Sequence, residues 1–202
     1  IWIPRWNLPA GQRDRQEVLP FPACNLVVEP DSITLHGPTT SISYRELEGR
    51  GWAVGALLRP AGAGALCSPS LIRNSHRTLE DPDLKATVAG AMTDTNTTRG
   101  EQRAANVLAA WVAQHTGPPQ AMALMANRME DVVASDRSIL RVDQLARRLD
   151  LSIRSLQRLC KKYVGLPPLA VIRRYRLQEA AQRLREDPSV TVAQVAAELD
   201  YA

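Results

Sequence analysis

Short runs of apolar residues, separated by turn residues, dominate the first third of the chain and are typical of β-strands. Strands are predicted at residues 25–28, 32–35 and 52–59. The sequence Glu29-Pro30-Asp31 separates the first two, and glycine and proline bound the third. We therefore predict a β-rich domain over residues 1–80.

The apolar spacing changes to a helical period of three or four residues over residues 81–136. A helix is predicted to begin at Asp81-Pro82, a polar loop covers residues 93–100, and two further helices cover residues 101–115 and 120–134. Such amphipathic connecting helices can pack on the β-rich domain or pair with another subunit, and the sequence leaves both open.

Two segments fifty positions apart share one pattern. Residues 142–152 read VDQLARRLDLS and residues 192–202 read VAQVAAELDYA. In each copy apolar residues at i, i+3, i+4 and i+7 define one helical face, and an aspartate that tolerates a left-handed turn follows. A short helix and a tight turn form the first half of a helix-turn-helix, a motif that binds DNA. Residues 137–202 are therefore predicted to be an all-α DNA-binding domain.

The helix after the first turn is predicted at residues 153–164, with Ser152 as its N-cap. One face is apolar and is expected to point inward, and it carries Ile153, Leu156, Leu159, Cys160 and Tyr163. The opposite face carries Arg154, Gln157 and Arg158, which suit base reading in a major groove because Arg pairs with guanine and Gln with adenine. The predicted phosphate contacts are Ser152, Lys161, Lys162 and Arg173.

A long helix is predicted to join the two repeated units. It covers residues 169–186, and its apolar stripe is Leu169, Ile172, Arg173, Leu177, Ala180, Ala181 and Leu184. At about 1.5 Å per residue it spans roughly 27 Å, close to the roughly 34 Å of one DNA turn. Thr191 to Gln194 then forms a capping box that starts the second unit.

The ends of the sequence lead to one more expectation. The chain starts at Ile1 instead of Met, and the second unit stops at Ala202 before its recognition helix. We therefore expect the chain to be a fragment of a longer protein, with an incomplete second unit.

Charge is distributed unevenly along the chain. Residues 137–202 carry thirteen Lys/Arg against seven Asp/Glu, whereas the whole chain has a net charge of only +4. Between Ser152 and Arg176 there are seven basic residues and no acidic residue. A solvated basic face would explain this alone, but together with the repeated motif it favours contact with phosphates.

The residues of this segment resemble the AraC family of transcription regulators. The resemblance rests on Leu145-Ala146, Leu149, Ser152 and Leu156-Gln157-Arg158-Leu159, followed by Gly165, Pro168, Ile172-Arg173, Arg176-Leu177, Ala180-Ala181 and Leu184. It implies two helix-turn-helix units joined by one long helix, with Arg154, Gln157 and Arg158 facing bases. Two residues depart from the family pattern: Cys160 stands where Phe is common, and Asp150 where the turn often has Gly.

Other chemistry finds weaker support in the sequence. Cys24, Cys67 and Cys160 are odd in number and far apart, which favours reduced thiols in the cytoplasm. A metal site from Cys24, His36, Cys67 and His76 lacks ligand spacing, so neither a metal nor a cofactor is predicted. Trp2, Trp6 and Trp52 suit either a ligand pocket or core packing. No apolar run is long enough for a membrane span.

The sequence thus predicts an α+β protein that acts as a sequence-specific, cytoplasmic transcription regulator and not as an enzyme. Its partner is double-stranded DNA, and its N-terminal domain is a sensor or dimerisation module. A small-molecule effector, RNA polymerase and a second copy of the chain are further partners that fit this role. The alternatives are an enzyme domain that is targeted to DNA and a helical interaction protein that never meets DNA.

Overall fold

The computed structural model describes residues 1–187, 189 and 191–198. Among these residues the strands are β1 Arg5–Asn7, β2 Arg13–Val18, β3 Asn25–Val28, β4 Ile33–His36, β5 Ser43–Glu48, β6 Arg50–Trp52, β7 Val54–Leu57 and β8 His76–Thr78. The helices are α1 Pro60–Leu66, α2 Pro82–Met92, α3 Thr97–Thr116, α4 Ala121–Ser135, α5 Val142–Arg148, α6 Ile153–Tyr163, α7 Pro168–Glu186 and α8 Val192–Glu198. The predicted α+β class, β-rich first and helical afterwards, is confirmed. Within the described residues, no helix has both the length and the apolar composition needed to cross a bilayer.

An antiparallel sheet in the order β7-β3-β4-β8 forms the centre of the N-terminal part, and two ribbons, β1-β6 and β2-β5, extend from it. The predicted strand at 25–28 coincides with β3, and the strand predicted at 32–35 lies one residue later. The strand predicted at 52–59 is found as β7, Val54–Leu57, but it is shorter than predicted: Trp52 belongs to β6 and pairs with Arg5 in one ribbon, whereas Val54 pairs with Val28 in the central sheet. Ala53 lies between β6 and β7, where the chain passes from one partner strand to the other.

The three connecting helices form near their predicted positions. The Asp81 side chain caps α2 by accepting a hydrogen bond from the Leu84 amide at 2.8 Å, as its Asp-Pro start predicts. The loop predicted at 93–100 is too long, since α3 begins at Thr97. The earlier start of α3 has a local cause, because the Asn96 side chain accepts a hydrogen bond from the Arg99 amide at 3.0 Å and caps the helix.

Two hydrophobic cores divide these helices between them. The first core packs the central sheet against α2 and α3, through residues such as Leu26, Leu35, Val88 and Leu108. The second packs α4 against α5, α6 and α7. The two cores therefore separate between α3 and α4, in the loop 117–120. The domain boundary predicted at 136 stays a prediction, and the division of the two cores favours a boundary at 117–120 instead.

The helix-turn-helix forms where the repeat predicts it. The Gln144 side chain accepts a hydrogen bond from the Arg141 amide at 2.8 Å, and the repeated Gln194 does the same for Thr191 at 2.8 Å. Asp150 has a φ of +55°, the left-handed turn predicted for it. Its counterpart, Asp200, lies outside the described residues.

Four residues that were predicted on inner faces are exposed instead. Ile153 is 47% exposed because, as the first residue of α6, it lies before the helix reaches the core. Leu169 and Leu177 are each 37% exposed, since α7 buries Pro168, Val171, Ile172 and Arg176, of which only Ile172 was predicted on the inner stripe. Arg173, predicted on the inner stripe, is exposed.

Candidate nucleic-acid interface

The exposed face of α6 carries the residues predicted to read DNA. Ser152 fixes the start of the helix, because its hydroxyl oxygen accepts a hydrogen bond from the Ser155 amide at 3.1 Å. The opposite face is anchored in the second core by Leu156, Leu159, Cys160 and Tyr163, all buried. That anchoring sets the rotation of the helix and directs its polar face to solvent.

The three predicted base-reading residues lie together on this polar face. Arg154, Gln157 and Arg158 are exposed, at i, i+3 and i+4 along one side of α6. Among the residues that the structure describes, none forms a hydrogen bond or an ion pair with these three side chains. Their donors and acceptors are therefore available to a ligand without the loss of an internal bond.

The predicted phosphate contacts are placed less uniformly. Lys161 and Lys162 are exposed at the end of α6, and the Lys162 ammonium lies 5.0 Å from the Tyr163 ring centroid. Arg173 is exposed on α7. Ser152 is exposed as well, but its hydroxyl already donates a hydrogen bond to the Ser155 hydroxyl at 2.9 Å. It therefore has less hydrogen-bonding capacity left for a phosphate than the lysines.

Arg174 and Arg176, which the charge count included, use their guanidinium groups for contacts inside the structure. Arg176 is only 2% exposed, and its guanidinium bonds to the carbonyl oxygens of Val133 and Asp136. Arg174 donates to the Thr39 carbonyl at 3.0 Å and to the Thr40 carbonyl at 3.1 Å. Charge counting alone thus overestimated the basic surface.

The N-terminal part of the chain touches the end of α6 directly. Gly64 of α1 lies so close to the Tyr163 ring that a Cβ there would be 2.4 Å from it. The Ser70 hydroxyl donates a hydrogen bond to the Lys161 carbonyl at 2.9 Å. Gly165, which ends the helix with a φ of +79°, lies against the backbone of Pro69. Sequence patterns missed this contact because it joins residues about ninety positions apart.

The helix α7 makes a second contact between the two parts. Besides Arg174, the Gln178 side chain donates to the Pro20 carbonyl at 3.2 Å, and the rings of Phe21 and Tyr175 pack edge to face at 5.6 Å. The Tyr175 hydroxyl donates to Glu130 at 2.8 Å, which ties α7 to α4. These contacts join the N-terminal part to the helices that pack around α6.

An open cavity of about 930 Å³ lies on the N-terminal part, at some distance in sequence from α6. Trp6 and Trp52, two of the three tryptophans considered for a pocket, line it together with Arg5, Arg50 and Asp94. Trp2 lies elsewhere, over Gly55, with its indole donating to Asn25 at 3.2 Å. Hydrogen bonds from Arg99 and from the Asn96 amide lower the pKa of Asp94 to about 2, so this carboxylate is charged.

The candidate metal ligands are not assembled. Within the described residues, no group of three His, Cys, Asp or Glu side chains is placed to hold a metal ion. His36 and His76 lie near one another, with ring centroids 5.5 Å apart. Cys24 and Cys67 also lie close, with their sulfurs at 3.9 Å, and Cys160 lies buried apart from them.

Comparisons with known proteins agree with this architecture. A family model described as a helix-turn-helix domain matches residues 145–202, and one described as a domain of unknown function, DUF6597, matches residues 1–80. No curated protein matches the sequence.

Two solved structures are similar to the chain. The match with the crystal structure of a lysine variant of apo ToxT from Vibrio cholerae covers 99% of this chain and 88% of the ToxT chain, at 12% identity and a TM-score of 0.55. That likeness shows a shared fold. The match with the crystal structure of the AraC-like transcriptional activator CuxR covers 85% of this chain and 74% of the CuxR chain, at 15% identity. Its TM-score of 0.31 is too low to show a shared overall arrangement.

Proposed function

We propose that this chain is a DNA-binding transcription regulator of the AraC type, because residues 145–202 match a helix-turn-helix domain, and that α6 enters the major groove of double-stranded DNA and reads base edges there. Arg154, Gln157 and Arg158 are the reading residues. Lys161, Lys162 and Arg173, with Ser152 at the helix start, contact phosphates on either side of the groove.

One observation supports this proposal most directly. The side chains of Arg154, Gln157 and Arg158 form an exposed polar stripe without partners among the described residues, on a helix whose other face is fixed in the core. A bidentate contact of Arg or Gln with a base is worth about 1–3 kcal/mol of discrimination. A helix held by its buried face presents such contacts without a further cost of ordering its backbone, so that only the side chains lose freedom on binding.

A selection experiment tests this assignment. The full chain is used to retain duplexes from a random-sequence pool, and the retained and starting pools are sequenced. The proposal expects enrichment of a short motif that includes a G or an A at fixed positions. Retention without any enriched motif would mean that α6 contacts only the backbone, and absence of retention at low salt would contradict DNA binding by this face.

We further propose that the cavity beside Trp6 and Trp52 takes a small effector molecule. Two indoles and the Arg50 guanidinium, which has no ion-pair partner among the described residues, favour a planar anion. Quenching of tryptophan fluorescence by aromatic carboxylates tests this, with Arg50→Gln expected to weaken binding. Equal affinity in the variant would contradict the assignment.

The same cavity bears on the enzyme alternative. Asp94, the carboxylate among its lining residues, is already paired with Arg99 at 2.9 Å and with Arg103 at 3.6 Å. A carboxylate held charged by two guanidinium groups is a weak general base, so the cavity favours binding over catalysis. We propose a regulator without enzymatic activity. A homodimer, a contact with RNA polymerase and a cytoplasmic location stay predictions from the sequence.

A further inference from the structure

The cysteines Cys24 and Cys67 lie side by side although 43 positions separate them. Their sulfurs are 3.9 Å apart, within van der Waals contact. A disulfide has an S–S length of about 2.05 Å, so a bond between them requires an approach of about 2 Å. Rotation of the Cys67 side chain away from the Ala63 carbonyl, to which it now donates at 3.2 Å, can supply much of that distance.

The two thiols differ in a way that suits stepwise oxidation. Cys67 is partly exposed at the end of α1, whereas Cys24 is buried beside the first residue of β3. A hydrogen bond from Cys24 and the nearby Arg77 guanidinium lower the pKa of the Cys67 thiol. The Arg77 guanidinium is held at the end of α1 by the Leu66 carbonyl at 3.3 Å. The hydrogen bond with Cys67 and burial raise the pKa of Cys24. Cys67 is therefore the thiol that meets an oxidant first, and Cys24 the one that follows.

We propose that Cys24 and Cys67 form an oxidation site for hydroperoxides, and that its disulfide displaces the turn 68–70 that contacts α6. The Cys67 thiolate attacks a hydroperoxide oxygen, the O–O bond breaks, and the leaving oxygen takes a proton, which gives a sulfenic acid on Cys67. The Cys24 sulfur then attacks the Cys67 sulfur. The S–O bond breaks, and the leaving hydroxide takes the Cys24 proton and departs as water. The two thiols lose two electrons, and the hydroperoxide is reduced to an alcohol or water.

The route from this site to α6 is short. Cys67 is the C-cap of α1, and the next three residues form a turn in which the Leu71 amide donates to the Ser68 carbonyl at 2.8 Å. Ser70 in this turn donates to the Lys161 carbonyl, and Pro69 packs on Gly165. A shift of Cys67 toward β3 pulls the turn away from the end of α6, so the amides of Val164 and Gly165 lose part of their protection.

The first readout is chemical. The full chain is treated with hydrogen peroxide, alkylated and digested with trypsin without reduction. Because Arg59 precedes Pro60, the expected product links peptide 16–45 to peptide 51–73. Cys160→Ala is the matched control and keeps this link, since Cys160 lies buried against the Met129 sulfur. In Cys24→Ser the oxidation stops at a Cys67 sulfenic acid, which dimedone traps. Linked peptides that instead contain Cys160, or an unlinked pair in the folded chain, would overturn the site.

The second readout follows α6 and does not depend on DNA. Hydrogen exchange at Val164 and Gly165 is compared between the reduced and the peroxide-treated chain. Loss of one hydrogen bond predicts about fivefold faster local opening. Cys67→Ser, which cannot form the disulfide, is expected to show no change. A disulfide that leaves exchange at α6 unaltered would overturn the proposed route, and this outcome is independent of whether α6 reads DNA.

Discussion

The buried guanidinium of Arg176 lies 2.7 Å from the carboxylate of Glu179, one turn later on α7. It also donates to the carbonyl oxygens of Val133 and Asp136 at the end of α4, so one side chain ties two helices of the second core together. Arg176→Leu leaves these carbonyls without their donor, and it leaves the mostly buried Glu179 with the exposed Arg137 as its remaining ion-pair partner. We expect a loss of about 3–5 kcal/mol in the free energy of unfolding, measured by urea denaturation.

A matched control separates this effect from a general change on α7. Arg185 is exposed on the same helix and has no ion pair among the described residues. Arg185→Leu is expected to change stability by less than about 0.5 kcal/mol. Similar losses in both variants would show that the buried network contributes little.

The acid stability of the N-terminal part depends on Asp94. Its side chain is 7% exposed, and bonds from Arg99 and the Asn96 amide lower its folded-state pKa to about 2 from an unfolded value of 3.8. Because the folded state prefers the ionised form, this stabilisation is complete above pH 3.8 and is lost as the pH falls toward 2. Wild type should therefore lose more stability between pH 5 and pH 2 than Asp94→Asn does.

Glu17→Gln, at an exposed carboxylate without an ion pair among the described residues, should follow wild type. Parallel curves for wild type and Asp94→Asn would contradict the role of Asp94.

Arg158→Ala tests base reading at a single position. On the motif enriched by selection, the loss should be about 1–3 kcal/mol, with relaxed preference at one base pair. Arg128→Ala, at an exposed arginine of α4, is expected to leave the affinity for the motif and the preference at that base pair unchanged. Equal weakening of selected and random duplexes by Arg158→Ala would reassign Arg158 to a phosphate.

Lys161 and Lys162 are expected to act through counterion release. The double variant Lys161→Gln, Lys162→Gln should make the slope of log K against log salt shallower by about 0.9 for each phosphate that the protein no longer neutralises. The change should be the same on selected and random sequence, since phosphates carry no base information. Lys85→Gln on α2 is the control. An unchanged slope in the folded double variant would return both lysines to a solvated surface.

Local features of this fold could be predicted from the sequence. The bounds of α5 and α6, the Ser152 cap and the left-handed turn at Asp150 depend on residues within four positions of each other. The exposed stripe on α6 follows from the same periodicity, because burying one face determines what the other presents. The repeat also explains why glutamine stands at position 144: its side chain caps α5 in the same way that Gln194 caps α8.

The features that the sequence did not predict depend on distant partners. Arg176 was counted among the surface cations because its acceptors, the Val133 and Asp136 carbonyls, lie forty or more positions earlier. The strand predicted at 52–59 is interrupted because Trp52 pairs with β1, whereas Val54–Leu57 pair with β3. The contact of Ser70 with Lys161 has no local signal in either segment.

The position of α1 has a consequence for how such proteins can be recombined. Within this single helix, Ala61 packs into the second core while Ala63 packs into the first. The Arg59 side chain, just before it, also reaches across to Asp131 on α4 at 2.7 Å. A chimaera joined at residues 117–120 would therefore pair α1 with a foreign α4 and α6. Exchange of input and output modules between relatives is expected to succeed only when both sides of the Ala61, Gly64 and Tyr163 contact come from one parent.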